Sequence, residues 1–466
     1  MRYISTRGAA PAVGFIDALL NGLAPDGGLY LPAEWPRVTR GEIAAFAGAP
    51  YACVAADIVG RFLGDEIAAP DLQRLCEQAY AAFDHPAVTP LTQLAPGRFL
   101  LELFRGPTLA FKDVAMRLLA QLYDHALAAR DRRLTIVCAT SGDTGGAAAA
   151  AFAGHERTRL VILYPEGRVS EVQRRFMTTT GAANVRAVAV AGDFDDCQAI
   201  VKALFADRQF ATGVGLTGVN SINFARIAAQ CVYFFVAAAA LGAPDRACRF
   251  VVPSGNFGDA YAGWAARAMG LPIAGLLAAT NANDILARAL DAGVYRRGPA
   301  LATRSPAMDI QVASNFERLY FDCVDRDGGA TAEAFADFGA AGSLTIPAGV
   351  LARMRAVFSA RSVDEARAAS AIASTWREAG VLVDPHTAVA IAADDQARWA
   401  GDPTTPTVIL ATAHPAKFPE AVRAATSVAP RTPPRAATLA GLPESIDRLP
   451  PDIAAVKTYT REFADA

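Results

Sequence analysis

LTIVCATSGDTGGAAAAA, residues 134–151, runs from a short β-rich apolar segment through a glycine turn into an alanine-rich helix. Thr, Ile and Val suit a pleated strand, glycine lets the backbone turn sharply, and alanine is the best helix former. The β-rich part of this pattern recurs in RLVILYP at 159–165, VRAVAV at 185–190, RFVVPS at 249–254, IAGLLAA at 273–279 and TVILAT at 407–412. Strands alternating with helix-length segments predict an α/β fold whose parallel sheet is covered on both faces. Their number fits two such sheets or one large one. Before Pro90 the chain reads differently, as short helices such as Asp71–Phe83 joined by Gly/Pro turns including Ala24-Pro25-Asp26-Gly27-Gly28. After Pro430 the Pro- and Ala-rich APRTPPRAATLAGLPES reads as an irregular surface tail.

Composition narrows the function classes. A chain of 466 residues exceeds one average domain, and 53% hydrophobic with 19% charged residues is globular. With 44 basic and 46 acidic side chains the net charge is −2, which leaves no electrostatic footprint for nucleic acid or an anionic membrane. The longest apolar run, Cys231–Leu241, is 11 residues, too short to span a bilayer. The N-terminal MRYISTRG has no apolar signal-like segment. Seven cysteines without a Cys-x-x-Cys pair fit reduced thiols in a cytoplasmic protein, and no metal site is expected.

The chemistry centres on LFRGPTLAFKD, residues 103–113, which delivers Lys112 from an apolar turn onto the start of a helix. Val114, Leu118, Leu122 and Ala126 recur every four residues, with Asp113 expected at the cap and Arg130 near the end. A lysine desolvated there has a lowered pKa and an amine available for an imine bond. Two glycine loops support this reading. In ATSGDTGG, Ser141, Gly142, Asp143 and Thr144 could cradle a carboxylate or ring oxygens at a helix N-terminus. In PSGNFGDAYAGW, residues 253–264, Gly255, Asn256, Phe257, Gly258 and Asp259 could aim successive N–H groups at a phosphate. The spacing is neither a Walker loop nor G-x-G-x-x-G. An imine-forming lysine with two such turns suggests a phosphorylated aldehyde cofactor, and pyridoxal 5'-phosphate is the candidate.

These residues resemble a known family. GLAPDGGLYLP, GPTLAFKD, ATSGDTGG, GDFDDCQ, NSINFARIAAQ, VPSGNFGD, ATNANDIL, SPAMDIQVASNFERL, DPHTAV, ATAHPAKFPEAV and IDRLPPD together resemble the threonine synthases. These are fold-type II pyridoxal-phosphate enzymes, tryptophan-synthase β-like, and the long N-terminal segment is similar to the bacterial and fungal subfamily. The resemblance implies two parallel-sheet α/β domains plus a mainly helical N-terminal domain. The expected division is 1–95, then a catalytic core 96–430 with a smaller mobile part at about 134–240, then a tail 431–466. It further implies that Lys112 binds the cofactor covalently and shuttles protons, and that Gly255, Asn256, Phe257, Gly258 and Asp259 hold its phosphate. Asp143 then lies near the ring's phenolic oxygen, Thr412 faces the pyridine nitrogen, and Ser141 and Thr144 lie near the substrate. Asn220 and Arg226 contact the substrate phosphate, for which a guanidinium fork is suited.

The implied reaction turns O-phospho-L-homoserine and water into L-threonine and phosphate, by γ-elimination and β-addition of water, with one domain closing on the other. A monomer or homodimer is expected. His414 and Lys417 follow a strand end and are read either as supporting the site's residues from behind or as structural, and His386 likewise or as a helix-start cap; none is counted as catalytic. Arg105 replaces a histidine of many relatives, and Asp143 replaces the asparagine of shorter ones, which leaves its protonation open. A serine/threonine dehydratase-like lyase would share Lys112 and the loops but needs no second phosphate grip. A non-catalytic cofactor-binding homologue predicts loss of the lysine.

Overall fold

The computed structural model describes residues 1–465. Two large sheets form, because the β-rich runs segregate into two sets that pair only among themselves, beside two small antiparallel pairs, Tyr3–Ser5 with Tyr30–Pro32 and Val294–Arg296 with Ser343–Thr345. The larger has six strands in the order Phe358–Ser362, Ile273–Thr280, Cys248–Pro253, Thr407–Ala411, Arg98–Glu102, Leu91–Ala95. All neighbours are parallel except the last pair, an antiparallel hairpin turned at Gly97, whose φ is 72°. The smaller is wholly parallel, in the order Asp447–Leu449, Val185–Val190, Thr158–Pro165, Leu134–Ala139, Leu216–Thr217.

Both sheets are buried on two faces, which is why their strands read as continuous apolar runs. Phe250 and Val252 point into one core cluster while Val251 between them points into another, against the helices Glu365–Ala379 and Pro385–Asp395. In the smaller sheet Ile136 and Val137 divide in the same way. The helices of the N-terminal segment, Phe15–Asn21, Arg40–Ala45, Tyr51–Leu63 and Ala69–Tyr80, share the first cluster with Lys112–Ala129 and Phe224–Ala240. The segment before Pro90 is therefore continuous with the main core.

Three expectations need correction. Residues 431–466 are not an irregular tail: Asp447–Leu449 pairs in parallel with Val185–Val190, and Ile453–Asp465 is a helix. Val456 and Phe463, seven residues apart, bury themselves against the small sheet's outer core. Pro and Ala dominate the stretch just before them and masked that helical period. Nor does the smaller body run from 134 to 240. The helix Phe224–Ala240 packs on Gly258–Ala268, Lys112–Ala129 and Tyr51–Leu63, so the small sheet ends at Thr217 and is completed from the C-terminus. Finally, the helix begins at Lys112 itself, and Asp113 is not its cap. Leu109 adopts a positive φ of 60°, and the tight turn it makes draws the Asp113 carboxylate back onto Thr108.

Candidate active site

The turn Gly106–Phe111 is fixed before Lys112 is reached. Asp113 accepts from the Thr108 N–H and hydroxyl, each at 2.7 Å, and a Cβ on Gly106 would stand 2.4 Å from that of Asp113. Phe111 N donates to Thr412 O at 2.8 Å and His414 N to Leu109 O at 3.0 Å, zipping the turn onto the end of the strand Thr407–Ala411. Lys112 thus stands at the C-terminal edge of the larger sheet's centre, where parallel sheets place their ligands. Its Nζ lies 4.6 Å from the Phe111 ring centroid. Burial pulls its pKa down to about 8, outweighing the opposing pull of Asp143.

Asp143 opens the helix Asp143–Phe152 of the smaller sheet and meets Lys112 across the gap, Oδ2 to Nζ 3.8 Å. Its Oδ1 accepts from Lys417 Nζ at 2.6 Å and from Gln173 Nε2 at 2.9 Å. Burial pushes this carboxyl up, but the Lys417 and Lys112 charges win and hold it well below the usual carboxylate range. Its protonation, open in the sequence, resolves to the ionised form. Ser141 and Thr144 are half-buried on either side of it, and the Thr140 hydroxyl takes the Gly142 and Gly145 N–H groups.

The second loop is shaped by the segment packed over it. A Cβ on Gly255 would meet Ala307 O at 2.9 Å and Ile310 Cδ1 at 3.0 Å, while Asn256 O accepts from the Asn315 N–H and side-chain amide. Phe257 turns with a φ of 63° into the helix Gly258–Ala268. The N–H groups of Gly255, Asn256, Phe257 and Gly258 find no acceptor among the described residues. Asp259 is different: Oδ1 accepts from Tyr233 OH, Oδ2 has no partner, and burial pushes the acid up to about 7. A buried carboxylate repels phosphate, so the contribution of Asp259 to a phosphate site is its N–H or its protonated form.

Asn220 and Arg226 flank the start of Phe224–Ala240. Asn223 proves to be the cap, accepting from Ala225 N and donating to Leu19 O. Arg226 is 2% exposed with its Nε unpartnered, and the Asn220 Oδ1 is buried and unpartnered too. Burial holds the guanidinium down to about 10, and no acid lies within 4.0 Å of it among the described ion pairs. Buried polar groups normally find partners, so two exceptions six residues apart at one helix start are suited to a ligand. Three buried cations, Lys112, Lys417 and Arg226, face one carboxylate held low, Asp143, while burial raises both Asp259 and Asp113. That surplus, the four free N–H groups and the desolvated amine suit a phosphorylated aldehyde and a second phosphate. Thr412 is buried beside Lys112, its carbonyl taken by Phe111.

The sequence reading left Lys417 between a supporting and a structural role and off the list of site residues. It is 1% exposed, follows the strand Thr407–Ala411 and also donates to Thr108 O at 3.0 Å. A signal existed: the chain has only four lysines among 44 basic residues, and this one lies between apolar Ala416 and Phe418. His386 sits at a helix start as expected, its Nδ1 2.6 Å from the capping Asp384 and its Nε2 accepting from Ala307 N at 3.2 Å. Arg105 pairs with Glu102 at 2.5 Å, away from Lys112 and Asp143.

Three family models match the chain. "Threonine synthase N terminus" covers residues 2–80, "Pyridoxal-phosphate dependent enzyme" 83–413 and "Threonine synthase, C-terminal" 387–460. Threonine synthase of Pseudomonas aeruginosa is 47% identical over 466 residues, spanning 100% of this chain and 99% of that protein. A pyridoxal-phosphate-bound threonine synthase from Brucella melitensis superposes with a TM-score of 0.96 at 49% identity, covering 100% of both chains. The yeast threonine synthase structure gives 0.92 at 35% identity, covering 100% of this chain and 99% of that one.

Proposed function

The chain belongs to the threonine synthase family of pyridoxal-phosphate-dependent enzymes, and from that premise we propose that it converts O-phospho-L-homoserine and water into L-threonine and phosphate. The observation that carries this reading is the buried Arg226, which has no acid partner within 4.0 Å among the described residues and an unpartnered Nε, together with the unpartnered Asn220 Oδ1 six residues earlier, both outside the loop Gly255–Asp259 in the chain though Arg226 feels the Asp259 charge. One phosphate belongs to the cofactor, and a second basic site serves a phosphorylated substrate. A dehydratase acting on serine or threonine has no use for it.

Bound here, the cofactor supplies an electrophilic carbon for the substrate's amino group and a conjugated ring that takes up the electrons left when Cα loses its proton. The free N–H groups of Gly255, Asn256, Phe257 and Gly258 hold its phosphate, and Thr412 meets its ring nitrogen. Lys112 holds the cofactor, then takes the proton from Cα and returns it, a task suited to an amine with a pKa of about 8. Arg226 and Asn220 grip the phosphate at Cγ, binding energy that aligns Cα and Cβ with the Lys112 nitrogen and steadies the leaving group. Ser141 and Thr144 receive the substrate carboxylate. The small sheet, closing Asp143 onto Lys112 and Lys417, excludes bulk water apart from the molecule that adds at Cβ.

The low net charge and seven free cysteines support a cytoplasmic enzyme with a small-molecule substrate, working as a monomer or homodimer. Among the described residues no helix is long and apolar enough to cross a membrane. The deciding assay follows phosphate and threonine together from O-phospho-L-homoserine. Equal yields, with serine and threonine poor substrates, are expected. Efficient conversion of threonine to an α-keto acid without phosphate release from phosphohomoserine would place the protein among the dehydratases.

A further inference from the structure

Lys417 and Asp143 come from different sheets. Lys417 follows Thr407–Ala411 of the larger, and Asp143 follows Leu134–Ala139 of the smaller. Their 2.6 Å contact therefore bridges the two bodies where Lys112 lies. The same ammonium donates to Thr108 O, inside the turn that delivers Lys112, and its charge lies 5.6 Å from the Phe176 ring of the smaller body. Asp143 divides its oxygens: Oδ1 serves Lys417 and Gln173, while Oδ2 faces Lys112.

A carboxylate is a costly choice at this depth, since a buried charge needs a partner of opposite sign and further hydrogen bonds. Lys112 cannot be that partner throughout, because its nitrogen is consumed by the cofactor and changes charge as it moves protons. Lys417 has no other acid within 4.0 Å among the described residues, the buried Asp113 acting on it from further away, and can. We propose that Lys417 is the permanent counter-cation of Asp143, and that the pair acts as one unit aiming and electrostatically balancing the Lys112 nitrogen. Lys417 is a positioning residue in this scheme, acting through Asp143 and Thr108. Four charged groups face the Lys112 amine: Asp143 and Asp259 favour its protonated form, Arg226 and Lys417 oppose it.

The inference rests on Lys112 being the cofactor lysine, so borohydride reduction and peptide mapping of the wild-type holoenzyme come first. A label on Lys202, Lys417 or Lys457 defeats that assignment itself, before the pair is tested. With the label on Lys112, the holoenzymes of K417M, D143N and the double variant are compared by kcat, KM and the pH midpoint of the bound cofactor's visible absorbance, which reports protonation at the Lys112 nitrogen. K417M is expected to lose roughly a hundredfold in kcat, the scale of a misplaced reacting group, because an unpaired Asp143 no longer aims the Lys112 nitrogen. Its midpoint moves up because an opposing cation is gone, and that of D143N moves down. In the double variant the midpoint returns between the two, and kcat recovers about tenfold or more over K417M, as coupled partners require. A double variant no better than K417M, or one midpoint common to all four proteins, overturns the proposal and leaves Lys417 a structural strut. If K417M does not fold, soluble holoenzyme from the double variant is the supporting result and its failure the overturning one.

Discussion

Replacing Arg226 with methionine should make the protein more stable and the enzyme worse. The guanidinium is 2% exposed and is held from 12.5 down to about 10 by burial, with the charges of Tyr233 and Asp259 pulling weakly the other way. At about 1.4 kcal/mol per pKa unit, the charged form costs the folded state roughly 3 kcal/mol. The folded pKa lies below the unfolded one, so this cost is present across the whole range below about pH 10 and fades only as pH rises through it. Methionine keeps the length without the charge, and repacking returns about 1 kcal/mol of the gain. A net stabilisation of about 2 kcal/mol remains without phosphate. Bound substrate reverses the order, because a charge-assisted phosphate contact is worth about 1.5–3 kcal/mol, a ten- to hundredfold rise in KM when it is lost. Melting curves of both proteins with and without inorganic phosphate, beside KM for O-phospho-L-homoserine, test both halves. The reasoning is refuted if the variant melts well below wild type in phosphate-free buffer, or if it sheds the cofactor while the reconstituted enzyme keeps its KM.

Three further outcomes are expected. Asp113→Ala strands the buried Thr108 N–H and hydroxyl, at about 1–3 kcal/mol each, so calorimetry should show a clear drop in melting midpoint together with weaker cofactor retention; an unchanged midpoint means that something else holds the turn. Burial, helped by Arg105, keeps His414 neutral down to about pH 4 against an ordinary 6.5. A depressed folded pKa means stability present above 6.5 and lost as pH falls through 4, so His414→Asn should flatten the stability profile in that window, and a parallel profile would show that the imidazole titrates freely. Phe463→Ala should cost about 3 kcal/mol as a buried aromatic and loosen the small sheet's edge; a variant melting like the parent would make the C-terminal helix a mere appendage.

The sequence determined what local chemistry and pattern can carry. LTIVCAT, VRAVAV and RFVVPS announced buried parallel strands because both of their faces are apolar, and each was found within a residue of its expected span. GPTLAFKD, ATSGDTGG and SGNFGD marked strand-to-helix turns because only glycine and small polar residues tolerate such geometry. Asn220 and Arg226 were singled out as a pair only through the family resemblance of NSINFAR. Tertiary structure alone decided what depends on who stands opposite. The apolar neighbours Ala416 and Phe418 hint only that Lys417 is buried; it becomes the partner of Asp143 because the ends of two separate sheets meet there. The charge of Asp143 was undecidable for the same reason, since it is set by two lysines, one 31 residues before it and the other 274 after it. The tail looked structureless because its Pro- and Ala-rich composition hides a three-residue strand that gains meaning only beside Val185–Val190. Local sequence fixes conformational preference, whereas burial, charge state and strand partnership are properties of neighbours brought together from a distance.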